Sequence, residues 1–395
     1  MELNRNFYRL HAKKIENMSE EPEQTEEVLQ PKPEDHMNFI EYVEKTMETF
    51  EEKPFCDADA LVFSWLSYID FPENCIPDDA VRLGDLYKAE LFEQMFRTAV
   101  AYDETKALFC AAAASPRFRD TGVSHYVSRL DPETLKQFSA VNFHISEKLR
   151  FVAFRGTDKF IVGWKEDLCL ALADPVESQK SSVRYLTRCA SGFDGEIITG
   201  GHSKGGNLAI FSSALCDESI KNKITKIYSF DGPGVDDEVN EELIDQIYDK
   251  VVKFVPQSSL IGLIMEKRED YRIVKSDGRG FSQHMAFYWH LTPEGEFDFT
   301  DDLTYDSRIL KVSVNKWIGD MNYEERSRII QSLFELFNTT NAETLDDIDF
   351  IKVIPEIKKN FDDMNPEARK ILLNNAKNII TESVKNIPKA FEKKE

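Results

Sequence analysis

Positive charge is scarce in this chain, and long apolar runs are missing from it. Lysine and arginine number 49 against 71 aspartates and glutamates, a formal net charge of −22 over 395 residues. A surface of that sign repels phosphate backbones and anionic headgroups, which excludes nucleic acid and acidic membrane surfaces as expected partners. The longest uncharged stretch near the candidate site, Phe254 to Met265, is too short to span a bilayer. The N-terminus, M-E-L-N-R-N-F-Y-R-L-H, has no apolar signal-peptide core. Cysteine is thin as well: Cys56, Cys75, Cys110, Cys169, Cys189 and Cys216 form no C-x-x-C pair and read as small buried hydrophobes rather than a disulfide framework. No internal repeat is present. These absences point to a soluble, cytoplasmic protein without a transmembrane segment.

Apolar residues make up 42% of the chain, with 28 Phe and 13 Tyr, enough for a sizeable core. Residues 14–36 are rich in Glu, Gln, Pro and Lys and bury too little to offset the entropy of ordering, so 1–36 reads as a flexible leader. From Met37 apolar residues recur at helical spacing, and D-A-D-A-L-V-F-S-W-L-S-Y-I-D-F (57–71) reads as a buried helix. Residues 79–115 continue in helical style, followed by a loop with Pro116 and Gly122. The alternating runs F-S-A-V-N-F-H-I-S and L-R-F-V-A-F predict a β-hairpin. Strands and helices then alternate as far as Val255, which implies a parallel sheet with helices on both faces. After Asp301 amphipathic helices take over (309–318, 323–338, 348–361 and 366–387). The predicted organisation is a leader (1–36), an α/β domain (37–300) and a helical C-terminal extension (301–395), whose Lys-rich faces read as solvated.

Within the α/β region, E-I-I-T-G-G-H-S-K-G-G-N-L-A-I-F (196–211) places Gly201-x-Ser203-x-Gly205 between a β-branched run and a helix-compatible segment. The G-x-S-x-G pattern alone arises by chance in about one chain in ten at ordinary glycine and serine usage. Its setting makes it informative, because a nucleophile elbow needs a strand, a strained turn and a helix. Glycines two residues on either side are required where a Cβ would collide with the neighbouring strand or helix. The helix that follows aims its free N–H groups at a developing oxyanion. G-x-S-x-G in a sheet of this kind is the α/β-hydrolase arrangement.

A serine hydroxyl needs a base, and the base an orienting acid, in the chain order Ser, acid, His. His284 and His290 are the two histidines after Ser203. His284 lies in a loop (G-R-G-F-S-Q-H-M) and is the candidate base; His290, between Trp289 and Leu291, reads as a sheet residue. His202 reads as packing. For the acid, Asp231 stands at the end of a strand, before Gly232-Pro233-Gly234; Asp270 and Asp277 are the alternatives. The backbone N–H of Lys204 supplies one oxyanion donor. The loop V-A-F-R-G-T-D supplies the other from Thr157 or Asp158, with Gly156 permitting the close approach.

Phe154-Arg155-Gly156-Thr157-Asp158, then Gly163-Trp164-Lys165-Glu166-Asp167-Leu168, and the Gly201–Gly206 elbow together resemble the F-R-G-T…D-L and G-H-S-L-G-G signatures of class 3 (fungal-type) lipases. The 57–71 run, F-D-G-P-G and V-P-Q-S-S-L-I-G are similar to a bacterial, Mbeg-like branch, with the likeness spanning roughly 37–300. The resemblance implies an α/β-hydrolase fold, Ser203 as nucleophile, His284 as base and an oxyanion hole around Thr157 and Lys204. Two departures stand out. Lys204 replaces the usual leucine, which either favours an anionic substrate or pairs with a nearby carboxylate. The region where these lipases carry their acid reads K-F-V-P-Q-S-S-L-I-G, without aspartate, so the acid comes from elsewhere, with Asp231 the choice, or the triad is incomplete.

The expected function is a serine esterase or lipase-like hydrolase acting on a small-molecule or lipid-like carboxylic ester or thioester, with no metal or organic cofactor. The run Ser259–Met265 reads as packed core or as the wall of an acyl groove. The rival is a catalytically inactive scaffold that binds a partner, and a carboxylate within reach of His284 separates the two. A peptidase or amidase on the same fold is a third reading.

Overall fold

The computed structural model describes residues 36–72, 79–172, 175–235, 241–278 and 280–338, with Pro366, Lys370 and Leu373 besides. Apart from His36 and those last three residues, the expected leader and the helices read over 348–361 and 366–387 lie outside the described residues.

Among the described residues, nine strands form one sheet whose spatial order follows the chain. They are β1 Val81–Arg82, β2 Gly122–Asp131, β3 Lys136–His144, β4 Leu149–Phe154, β5 Glu196–His202, β6 Ile224–Phe230, β7 Val251–Pro256, β8 Tyr271–Val274 and β9 Phe299–Thr300. β4 to β8 are parallel, while β1 to β4 pair antiparallel and β9 returns antiparallel on β8. This is an α/β-hydrolase-type fold, with the G-x-S-x-G turn leaving the C-terminal end of a parallel strand.

The eight longer helices are α1 Phe39–Lys45, α2 Asp57–Leu66, α3 Tyr102–Ala114, α4 Ile161–Leu172, α5 Glu177–Ala190, α6 Lys204–Leu215, α7 Tyr305–Gly319 and α8 Tyr323–Asn338. The period-2 alternation of the strands divides the core into two layers. In β4, Phe151 and Ala153 join a cluster with residues of α1, α2 and α3, while Val152 and Phe154 face α5 and α6. Phe63 of α2 lies 4.8 Å from Phe143 and 5.7 Å from Phe151 between ring centroids, docking the helix on the sheet. Truncation of such a fully buried ring costs about 3–5 kcal/mol. The start of α2 is tied down by a buried pair: Arg117 meets Asp59 at 2.6 and 2.8 Å and donates further to the carbonyls of Glu48, Thr49, Lys53 and Pro54. That anchoring orients Trp65 and Tyr68, which face the site.

Two local expectations differ from the structure. Residues 79–115 are not one helical stretch but β1, short 3-10 turns, a five-residue helix (Phe92–Phe96) and α3. The segment after Gly122 is a ten-residue strand rather than a loop. Its register shifts between Ser124 and Val127, where His125 takes a positive φ of 54°, so the alternation that signals a strand is interrupted.

Candidate active site

The Ile197-Ile198-Thr199 run forms β5 because β-branched side chains fit a pleated surface buried on both faces. Ser203 follows it at φ 57°, ψ −131° and caps α6, a backbone state that L residues adopt only under constraint. The constraint is visible in the glycines. A Cβ on Gly201 would stand 2.4 Å from the Phe154 carbonyl oxygen, and one on Gly205 would stand 2.1 Å from the same atom. The elbow is thus wedged against the end of β4.

Gly156, at the start of the next loop, is packed as tightly: a Cβ there would lie 2.1 Å from the Tyr68 hydroxyl and 3.1 Å from the Ser203 Cβ. Beyond it, the Thr157 hydroxyl donates to Asp167 Oδ2 at 2.6 Å. Arg155, buried under the same loop, donates to Asp70 at 2.8 Å and to Asp158 at 3.1 Å. Asp158 therefore spends its carboxylate inside the loop, where it also accepts from the Phe160 N–H at 2.8 Å.

His284 and Asp231 come together from residues 53 apart. Nδ1 of His284 lies 2.7 Å from Oδ2 of Asp231, whose side chain is fully buried. The other carboxylate oxygen accepts from the Ser259 hydroxyl and, at 3.1 Å, from the Gly262 N–H. A carboxylate oxygen accepts, so Nδ1 of His284 is the donor of this bond. Asp231 itself takes a positive φ of 49° at the end of β6, which turns its side chain back beneath the histidine. The alternative acids lie elsewhere. Asp270 is exposed, and Asp277 pairs with His290 at 3.0 Å and His36 at 3.4 Å.

His202 is buried between Trp65 and His284, its ring centroid 4.8 and 4.5 Å from theirs. Nε2 donates to the His284 carbonyl at 2.7 Å, and Nδ1 accepts from the Tyr68 hydroxyl at 2.9 Å. Burial, followed by the nearby His284, holds His202 far below the usual histidine range, so it stays neutral. It packs, as its sequence position implies, and also fixes the main chain of the residue beside it.

Lys204 does not offer a loose cation. Its side chain is buried and bonds Glu166 Oε2 at 3.0 Å and Gln137 O at 3.1 Å, with Asp167 at 3.7 Å. Burial alone would lower this ammonium, but Glu166 and then Asp167 outweigh it and hold it above its ordinary value. Glu166 completes its shell with the backbone N–H groups of Gln137 and Ser178, both at 3.0 Å.

Ser203, His284, Thr157, Asp158 and Lys204 all line one cavity of about 550 Å³. That volume suits a small organic ligand. The rest of its wall is largely apolar, with Trp65, Phe96, Val100, Leu168, Ile261 and Met265 among its members. Ile261 and Met265 belong to the Ser259–Met265 run, whose Leu263 points instead into core. The run is held from behind by α7: Asn315 accepts from the Met265 N–H at 2.7 Å and donates to the Leu263 carbonyl at 2.8 Å. The sequence pattern does not single out Trp65, Tyr68, Phe96 or Asn315 as site residues; they reach the site only through long-range packing. Asp167 was visible, as part of the G-W-K-E-D-L motif.

A family model described as Mbeg1-like matches residues 112–335, more than half of the chain, starting later than residue 37 and running past 300 into α8. No curated protein matches. Among solved structures the chain is similar to M37 lipase (14% identity, covering 53% of this chain and 69% of that one, TM-score 0.33). It is similar also to a mutant form of MDLA from Penicillium cyclopium (11% identity, 61% and 83%, TM-score 0.35). A structure described as fungal lipases shares 12% identity over 66% of this chain and 89% of its own, at a TM-score of 0.37. Likeness this distant leaves the chemistry to be argued from the site itself.

Proposed function

The chain belongs to the Mbeg1-like family, and we propose that it is a serine hydrolase cleaving a carboxylic ester or thioester through a Ser203 acyl-enzyme. The observation that carries this reading is the 2.7 Å approach of the buried Asp231 to His284. A scaffold that had lost its chemistry would have no use for a fully buried carboxylate held by two donors against a histidine, because burying such a charge costs several kcal/mol unless it is paired.

In the proposed reaction Ser203 Oγ attacks the carbonyl carbon while His284 Nε2 takes its proton, and Asp231 stabilises the imidazolium. The backbone N–H groups of Lys204 and of Thr157 or Asp158 receive the oxyanion. The tetrahedral adduct collapses to the acyl-enzyme as His284 returns the proton to the leaving alcohol or thiol. Water, deprotonated by His284, then attacks the acyl-enzyme and releases the carboxylic acid and free Ser203. The apolar wall of the cavity favours an acyl group with a hydrocarbon part. The charge of Lys204 is spent on Glu166, so it supplies no anion-binding group to the substrate.

The test is labelling with a fluorophosphonate, comparing wild type with Ser203→Ala and His284→Ala. The expected result is one adduct on Ser203 in wild type and none in either variant. A folded wild type that never labels would instead make the chain a binding scaffold.

A further inference from the structure

The candidate acid Asp231 is seated by a segment that is neither helix nor strand. Ser259 and Gly262, the two donors on Asp231 Oδ1, belong to residues 259–266. Tight turns shape this run: the Ile264 N–H bonds the Ile261 carbonyl at 3.1 Å and the Glu266 N–H bonds the Leu263 carbonyl at 3.4 Å. Its Ile261, Ile264 and Met265 line the Ser203 cavity. Met265 takes a positive φ of 57°. An L residue is crowded in that region and persists there only where its surroundings over-determine it.

Asn315 of α7 supplies the constraint. Its Oδ1 accepts from the Met265 N–H at 2.7 Å, and its Nδ2 donates to the carbonyls of Leu263 at 2.8 Å and Glu266 at 3.5 Å. One amide thus grips the chain on both sides of the strained residue, using its acceptor and its donor together. Asparagine is a poor residue for a helix interior because its side chain competes for backbone groups. At position 315 that capacity is directed at the 263–266 turn. The helix is itself anchored, since Ile318 is buried in one cluster with Met265 and with Ile329 and Ile330 of α8. The turn also meets the residues that follow Asp231: the Gly234 N–H bonds the Ile264 carbonyl at 2.9 Å, and a Cβ on Gly234 would stand 2.2 Å from the Met265 carbonyl oxygen.

We propose that Asn315 is a positioning residue for the hydrolysis: by holding the Met265 turn it keeps Ser259 and Gly262 within bonding distance of Asp231, and so keeps Asp231 on His284. Only Leu263 and Ile264 lie between Gly262 and Met265, so a turn that relaxes at Met265 carries the Gly262 N–H with it. The inference rests on the serine-hydrolase reading above, and it makes α7 a working part of the catalytic unit rather than an appendage behind it.

The test is the rate of fluorophosphonate labelling of Ser203 in full-length protein, with the thermal midpoint measured alongside. Asn315→Leu keeps an apolar side chain in place and removes every bond to the turn. Asn315→Ala favours the helix itself and keeps the test decisive if the leucine variant does not fold. Either folded variant should label roughly 10- to 100-fold more slowly than wild type, the loss that small displacements of catalytic groups produce. Added to Asp231→Asn, the same substitution should slow labelling by less than about twofold further, because the carboxylate to be positioned is gone, while the fall in thermal midpoint still adds. A merely structural role would slow both backgrounds by the same factor. Labelling of a folded Asn315 variant within about twofold of wild type, an equal loss in both backgrounds, or failure of both variants to fold would overturn the proposal. A wild type that never labels removes the hydrolase reading and this proposal with it; a wild type that labels beside unaffected variants removes this proposal alone.

Discussion

The imidazole of His202 donates from Nε2 to the backbone carbonyl of His284 across 2.7 Å. The residue next to the elbow serine thereby sets the position of the histidine 82 residues later. With Nδ1 held by Tyr68 and the ring kept neutral by burial, His202 has one tautomer and one orientation. His202→Phe keeps a ring between Trp65 and His284 but removes both hydrogen bonds. The expected outcome is a folded protein whose Ser203 reacts with a fluorophosphonate roughly 10- to 100-fold more slowly, the loss that small misplacements of catalytic groups produce. Reaction at the wild-type rate would show that His284 needs no such support.

In the proposed mechanism Asp231 fixes the His284 tautomer, and Asp231→Asn preserves shape while removing that charge. An orienting aspartate of this kind is worth about 10⁴ in rate, and a loss of that order is expected in single-turnover labelling of Ser203. A change smaller than tenfold would assign the orienting role elsewhere.

Gly262 is predicted to be as intolerant as the carboxylate it touches. A Cβ on it would stand 2.2 Å from Asp231 Oδ1, and its N–H is one of that oxygen's donors. Gly262→Ala should slow labelling far more than it lowers the thermal midpoint. Equal, small effects on both would contradict the rigid seating of Asp231.

Lys204→Leu removes the ammonium and leaves Glu166 buried without its cation. Breaking a buried ion pair from one side costs about 3–5 kcal/mol, and the urea midpoint should fall accordingly. Replacing Glu166 by leucine as well should recover most of that loss. A single variant as stable as wild type would mean that the pair contributes no net stability.

His144 makes the stability depend on pH. First burial, then Arg150 and His125, push it down from 6.5 to about 4. Between those values the unfolded chain binds the proton and the folded chain does not, so stability falls as the pH drops through this window. His144→Gln should flatten the fall in urea midpoint measured from pH 7 down to about 4. A slope unchanged by the substitution would remove His144 as its source.

Much of this protein is legible in one dimension. The strand, turn and helix around Ser203 are, because their requirements are local: β-branched residues for a strand, glycines where neighbouring backbone leaves no room for a Cβ, and a helix directly after the serine. The hairpin and the alternating block that follows are legible for the same reason, since period and turn chemistry act over a few residues. Local signals fail where two distant segments meet. Asp231 is not distinguishable from Asp270 and Asp277 by position, because only the fold closes the end of β6, the Ser259–Gly262 backbone and the His284 loop around one of the three. Lys204 left two readings open until the fold brought Glu166 and Gln137 onto its ammonium, since whether a charge faces ligand or core is a property of packing. The contact of Asn315 with Met265 spans 50 residues and obeys no spacing rule. The sequence by itself determined the local elements around Ser203, through the identity of its short motifs; the tertiary structure alone decided which groups stand within bonding distance, because burial, orientation and charge pairing are sums over neighbours that the chain order does not contain.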